Sequence, residues 1–246
     1  VIRRAHANLL LPALASAGLL MTPAALAATG GTGVSGSSGS STSNPLVHPA
    51  NRTETASGDG ITVHTVATGV LTWRKRFSGT APARDAGRVI EIQRTASPTS
   101  SRWVDATRAT VKSGGGFSVV WRVNRAGRLR FRAVLLRSAS AAAAAAASPA
   151  MKITVYRLSE ATWYGPGFFG HRTACGQVLH RGTLGVANRT LKCGTRVSIL
   201  YHGRSITVPV IDRGPYGTSA YWDLTQATAK ALGMTETSRI GTLFPY

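Results

Sequence analysis

The chain has 246 residues, of which 29 are Lys or Arg and only 9 are Asp or Glu, for a net charge of +20. Such a cation is drawn to polyanions. Its basic residues are spread through strand-rich sequence, which excludes a compact nucleic-acid motif, and beyond residue 28 no stretch is apolar enough to cross a bilayer.

The first 28 residues read as a secretory signal peptide. Arg3 and Arg4 form a basic start, Leu9 to Met21 an apolar core, and Ala25-Leu26-Ala27 a small-x-small cleavage pattern. The apolar run is about 13 residues, short of the roughly 20 that a span needs. The expected mature protein is soluble, without a lipid anchor, and secreted or held at the wall, where the polyanions are acidic wall polymers. Residues 29–45, TGGTGVSGSSGSSTSNP, form a Gly/Ser/Thr linker that cannot bury a core.

From residue 46 short runs rich in Val, Ile, Thr, Phe and Trp alternate with the turn signals SGDG, SGTAP, SGGG and NRAG. They predict strands at 61–67, 70–77, 88–93, 106–112, 117–123, 129–135 and 152–156. Seven strands in about 110 residues, 46–156, suggest an immunoglobulin-like β-sandwich. Trp73, Trp103 and Trp121 lie in or beside these strands and are expected in its core. The alanine run at 138–150 is too short to be a stable helix alone and is expected as a loop before the last strand. This region holds 17 basic and 5 acidic residues, but no convincing catalytic set.

The last ninety residues, 157–246, are denser in Gly, Pro, Trp and Tyr. Short β-runs (LGVA, RVSILY, SITVPVI, IGTLF) surround one helix over Thr225–Leu232, with Thr225 as its N-cap and Gly233 as its C-cap glycine. Many short strands plus one small helix suggest a small closed barrel. Cys175 and Cys193 are the only cysteines. In an exported chain a lone pair reads most simply as one disulfide. The alternative, a zinc site, would draw on His171, His180 and His202, which lack paired ligand spacing.

One acid stands out. In TVPVIDRGPYG an apolar strand ends at Asp212, followed by Arg213 and a Gly-Pro turn. Bare spacing allows either a turn residue bonded to its own backbone or an acid presented for chemistry. Asp223 in WDLT lies two residues before the helix, where it could meet the helix dipole or face a groove.

The stretches ATWYGPGFFGHRTACG, LGVANRTLKCGTRV, ITVPVIDRGPYG and WDLTQATAKALGM, in this order and spacing, resemble the rare lipoprotein A-like double-psi β-barrel family of bacterial cell-wall proteins, which is related to the barrels of expansins and barwin-like proteins. The resemblance covers residues 160–246. It implies an all-β protein with a six-stranded double-psi β-barrel and one short helix following the sandwich. It also implies lytic transglycosylation of peptidoglycan glycan strands to 1,6-anhydro products, with Asp212 as general acid/base and Asp223 as a second catalytic candidate. That reaction uses the sugar's own C6 hydroxyl as nucleophile, so one carboxyl can serve as acid and then base.

Two positions depart from the family pattern. Gln177 stands where the lytic members usually have Glu, and Asn188 where they have His. Neither side chain shuttles a proton at neutral pH, so a non-catalytic wall-binding or expansin-like loosening module is the rival reading. Tyr164, Arg172, Thr173, Arg213, Tyr216 and Tyr221 are the expected substrate contacts, with Trp163 and Trp222 divided between groove and core. No metal or organic cofactor is expected. The partners expected are peptidoglycan strands and anionic wall polymers, not nucleic acid, and the protein is expected to be a monomer.

Overall fold

The computed structural model describes residues 47–136 and 144–245; the signal-peptide, linker and 138–143 expectations fall outside the described residues. Alternating burial along the early strands dictates the first layer. β1 (His48–Pro49) is a two-residue edge piece. β2 (Thr53–Gly58) and β3 (Ile61–Val66) form a hairpin through Asp59 and Gly60, whose φ values of 49° and 75° fit the mirror-image turn that such a ribbon needs. β3 buries Ile61, Val63 and Thr65 while the residues between them face outward.

The run predicted at 70–77 is instead two strands in different sheets, β4 (Thr68–Val70) and β5 (Arg74–Thr80). Thr72 breaks it with φ at +72°, a conformation that no continuing strand of L-residues adopts. After a 3-10 turn at Ala83–Asp85 come β6 (Val89–Thr95), β7 (Trp103–Thr110), β8 (Gly116–Arg122) and β9 (Gly127–Leu136). Part of the expected alanine loop is β10 (Ala144–Ala147), paired antiparallel with β9. The available ladder edge of β9 corrects the loop reading there, because backbone groups in a sheet find partners regardless of side chain.

Strands β2-β3-β5-β8 make one antiparallel sheet, and β9-β6-β7 with β4 and β10 belong to a second. Both sheets bury side chains in a common core that includes Ile61, Phe77 and Trp121 from the first and Ile92, Phe131 and Ile153 from the second layer. Phe131 lies 5.4 Å from Phe77 and 5.3 Å from Trp121, centroid to centroid. Of the three tryptophans expected in this core only Trp121 is buried. Trp73 is 57% exposed, and Trp103 lies half-buried under the guanidinium of Arg132, 4.3 Å from its ring.

β11 (Met151–Tyr164) joins the two halves of the molecule. Its first residues pair with β9 and β4; from Arg157 onward it pairs with β16 (Ser238–Leu243) and then, in parallel, with β15 (Trp222–Thr225). The expected strand 152–156 is thus the first part of a 14-residue strand, and the expected 156/157 boundary falls inside it. The other barrel strands are β12 (Val186–Ala187), β13 (Arg196–Tyr201) and β14 (Arg204–Asp212). The order β11-β15-β12-β14-β13-β16 returns to β11, so six strands close on themselves and leave no free edge. Val197, Ile199, Val208, Val210, Trp222 and Leu224 fill the interior. Helix α1 (Gln226–Leu232) begins and ends as its sequence dictates: the Thr225 hydroxyl accepts from the Thr228 amide, and Gly233 adopts the left-handed cap at φ 77°. No described helix is long and apolar enough to cross a membrane.

Candidate active site around Asp212 and Asp223

The barrel's strand register brings the two aspartates together. Asp212 ends β14 and Asp223 lies in β15; β12 runs between these strands, and Ala187 is the register partner of both acids. Two strand spacings put their backbones about 10 Å apart, near enough for one charge to act on the other.

Asp212 is half-buried, and its Oδ1 accepts the amide of Arg213 at 2.8 Å and that of Ala174 at 2.9 Å. The first is the local turn bond that its sequence allowed. The second ties it to the TACG loop, 38 residues earlier. Arg213 does not pair with it. Its guanidinium donates to the carbonyls of Leu191 (2.9 Å) and Asn188 (3.2 Å) and approaches Cys193 Sγ at 3.3 Å, so it braces the neighbouring loop.

Asp223 faces a different environment. Thr162, its register partner on parallel β11, donates a hydroxyl hydrogen bond of 2.8 Å to Oδ1. Burial is the main force raising the Asp223 pKa, opposed by the Thr162 bond and assisted by the negative charge of Asp212; the result is a carboxyl pushed up to about 6. The helix needs nothing from this acid, because Thr225 supplies the cap.

Tyr164 lies at the end of β11 with its hydroxyl buried and without a hydrogen-bond partner of good geometry. Burial, then the charge and proximity of Asp212, then Asp223, hold the phenol protonated well above its ordinary range. A buried unpartnered donor beside two acids is an available contact for a bound hydroxyl or ring oxygen. Thr173 Oγ1 is likewise buried and unpartnered.

The other expected site residues divide. Tyr216 (71% exposed) and Tyr221 (43% exposed) present open rings, while Trp222 is wholly buried in the barrel core and Trp163 is half-buried, donating through Nε1 to the Thr235 carbonyl. Arg172 donates to the Gly176 carbonyl at 2.6 Å. Gln177 is exposed, and its side chain makes no hydrogen bond among the described residues. Asn188 is buried and fully engaged: its Oδ1 accepts the Thr190 and Leu191 amides at 3.1 and 2.9 Å, and its Nδ2 donates to the Tyr221 carbonyl. Cys175 and Cys193 form a disulfide with a Cα–Cα distance of 5.7 Å, which clamps the loop carrying Ala174 to the loop braced by Arg213. Among the described residues no three His, Cys, Asp or Glu side chains converge to hold a metal.

Two contributors escaped the sequence reading. Thr162 is invisible until the parallel register with β15 is known, although it lies inside the ATWYG motif. Arg189 donates to the Pro215, Thr218 and Ala220 carbonyls at 2.5, 3.0 and 3.0 Å and so shapes the loop that carries Tyr216. A lone arginine among 29 basic residues offers no signal for that task.

A family model described as lytic transglycolase matches residues 158–243. The chain is 45% identical over 76 residues to the probable endolytic peptidoglycan transglycosylase RlpA of Synechocystis, covering 30% of this chain and 24% of that protein. It is 40% identical over 85 residues to the probable enzyme of the same name from Aquifex aeolicus, covering 34% and 38% of the two chains. With the endolytic peptidoglycan transglycosylase RlpA of Campylobacter jejuni it shares 38% over 76 residues, covering 30% and 28%. The chain therefore spans well under half the length of these relatives. Among solved structures the Streptomyces papain inhibitor aligns at 25% identity with a TM-score of 0.27, over 35% of this chain and 91% of its own. Residues 158–243 are thus similar to the lytic transglycolase family model and to the RlpA proteins, and the likeness is confined to the barrel.

Proposed function

We propose that the barrel is a peptidoglycan lytic transglycosylase that cleaves glycan strands to 1,6-anhydro products outside the cytoplasmic membrane. The observation that carries this reading is Asp223: a half-buried carboxyl, without an ion pair among the described residues, raised to about 6 beside a second acid. A carboxyl in that range can hold a proton and release it during turnover near neutral pH. The family match and the names of the relatives point to the same chemistry.

In this mechanism Asp223 protonates the glycosidic oxygen as the C1–O bond breaks. The carboxylate left behind takes the proton from the sugar's C6 hydroxyl as O6 bonds to C1, which closes the anhydro ring without water. Asp212, fixed through Oδ1 by two amides, supplies the standing negative charge that favours the cationic centre developing at C1. This gives the proton to Asp223 rather than to Asp212, because Asp223 is the acid whose surroundings favour its neutral form. Tyr164 lends its unpartnered hydroxyl to the sugar, and the exposed rings of Tyr216 and Tyr221 offer sugar-packing faces. The two-sheet N-terminal half, which we read as an immunoglobulin-like sandwich, serves as a rigid spacer behind a cleaved leader (1–28) and a linker (29–45).

The test is incubation of the protein with peptidoglycan, and separately with peptide-free glycan strands, followed by mass spectrometry for 1,6-anhydromuramyl ends. Product from the native chain and none from Asp223→Asn supports the assignment. Wall binding without product would instead favour a binding or loosening module. That second reading is favoured by Asn188, whose side chain is spent on its own loop, and by Gln177, which cannot ionise.

A further inference from the structure

A second site lies away from the two acids. A cleft of about 590 Å³ opens between the β4–β5 turn of the N-terminal half and the β13–β14 hairpin of the barrel. Its volume suits a short oligosaccharide. Trp73, Arg74, Lys75, Arg76, His202 and Arg239 line it, and no Asp or Glu does. This absence of acids matters in a chain where Glu54, Asp85, Glu91 and Asp105 of the N-terminal half are each matched with an arginine.

Trp73, Arg74 and Arg239 are presented rather than consumed. Trp73 is 57% exposed, and among the described residues no ring or cation packs on it. Arg74 and Arg239 are exposed and make no ion pair or hydrogen bond among the described residues. Lys75 lies beneath them, buried, with its ammonium held by the carbonyls of Val66 and Thr68. The backbone is strained at both walls. Thr72, next to Trp73, has φ +72°, and His202, stacked on Tyr201 at 4.0 Å, has φ +43°. A β-branched residue held in the left-handed region costs about 1–3 kcal/mol, and here it turns a large aromatic out of the sheet.

We propose that this cleft binds a carboxylate-bearing glycan, with a sugar ring packed on Trp73 and the acidic substituent held by Arg74 and Arg239. A bare polyanion would engage the arginines and leave the tryptophan unused; a neutral glycan would do the reverse. The pairing of the two selects a saccharide that carries regular carboxylates, as a peptide-free peptidoglycan strand does through its lactyl groups. The site rests on the proposed function only for the identity of that polymer. It would grip the strand outside the groove, across the junction where β11 passes from one half to the other.

The experiment measures binding of peptide-free glycan strands by calorimetry in the full chain carrying Asp223→Asn, so that cleavage cannot deplete the ligand. Trp73→Ala and the double variant Arg74→Gln/Arg239→Gln are each expected to weaken binding about tenfold, from loss of ring packing and of charge respectively. The arginine variant should also flatten the salt dependence. Neutral chitin oligomers should bind at least tenfold more weakly than the strands. Equal affinity of native and Trp73→Ala protein, or full competition by polyglutamate, would overturn the proposal. Cleavage by chains that carry only the Trp73 or arginine changes is read separately, so that loss of the cleft and failure of the barrel chemistry give different results. Both variants change exposed side chains, and circular dichroism checks that they fold.

Discussion

The acids of the two halves live by opposite rules. In the N-terminal half Glu91, almost wholly buried, takes Arg108 at 2.7 Å and Gln93 at 2.6 Å; Asp85 takes Arg88 at 2.5 Å, and Asp105 shares Arg108 at 2.7 Å. In the barrel, Asp212 and Asp223 have no cationic partner among the described residues, although Arg213 directly follows Asp212. Arg172, Arg189, Arg196 and Arg213 donate to backbone carbonyls instead. The lesson is that a net charge of +20 decides nothing about a particular carboxyl. Asp223 keeps its raised pKa because it is buried and no guanidinium offsets that burial; the arginines of this barrel are occupied in holding loops.

The sharpest way to test that contrast is to remove the proton carrier. Asp223→Asn keeps the shape and the Thr162 contact but cannot donate and recover a proton, so turnover on glycan strands should fall by about 10²–10⁴-fold. Arg108→Ala in the other half should leave turnover per folded molecule unchanged while lowering the melting temperature, because it strands Glu91 in the sheet. If instead Asp223→Asn retains activity, the unpaired acid is not the donor and the contrast has no catalytic meaning.

The disulfide gives the next largest effect. It closes a loop with a sequence separation of 18, worth about 3 kcal/mol on the chain-entropy account. It also sets the loop whose Ala174 amide grips Asp212. The double change Cys175→Ser/Cys193→Ser should therefore lower the denaturation midpoint and, in the molecules still folded, reduce turnover. A loss of stability with full turnover would show that the Arg213 brace alone holds the loop.

Sequence patterns carried the local features well and the long-range ones poorly. The helix, both of its caps and most strand cores followed from neighbours along the chain; the disulfide followed from there being only two cysteines in a chain read as exported, and the barrel's closure from its many short strands and matched motifs. What was missed depends on register. Thr162 matters only because β11 runs parallel to β15; Arg189 and Arg213 look like surface charge until their carbonyl partners are placed; β10 exists because β9 leaves an edge to pair with. Trp73 and Trp121 show the limit most plainly. Both sit beside β-rich runs, and only the backbone reversal at Thr72 sends one outward.

A smaller effect concerns stability. Asp223 ionises near pH 6 in the folded chain and near its ordinary value of 3.8 when unfolded. Between those values the native state binds more protons than the unfolded one, so this group's contribution falls as pH rises from about 4 to 6 and stays low above that. Asp223→Asn removes the penalty. The variant should be more stable than the native chain at pH 7–8, by about 1 kcal/mol after solvent screening, and the gain should vanish near pH 4. Denaturant midpoints at the two pH values check this. A gain that persists at pH 4 would mean the aspartate is unfavourable there for reasons of packing.

The finest adjustment is at Thr162. Its hydrogen bond stabilises the charged form of Asp223 and is the one influence here that lowers the pKa. Thr162→Val preserves the β-branched shape and removes the bond, so the carboxyl should hold its proton to higher pH. The alkaline limb of the turnover profile should then move up by less than about one pH unit, with little change in the maximum rate. A downward shift, or none, would mean that burial and Asp212 already set the proton affinity without the hydroxyl. An upward shift would locate the tuning of this acid on the one strand that both halves of the molecule share.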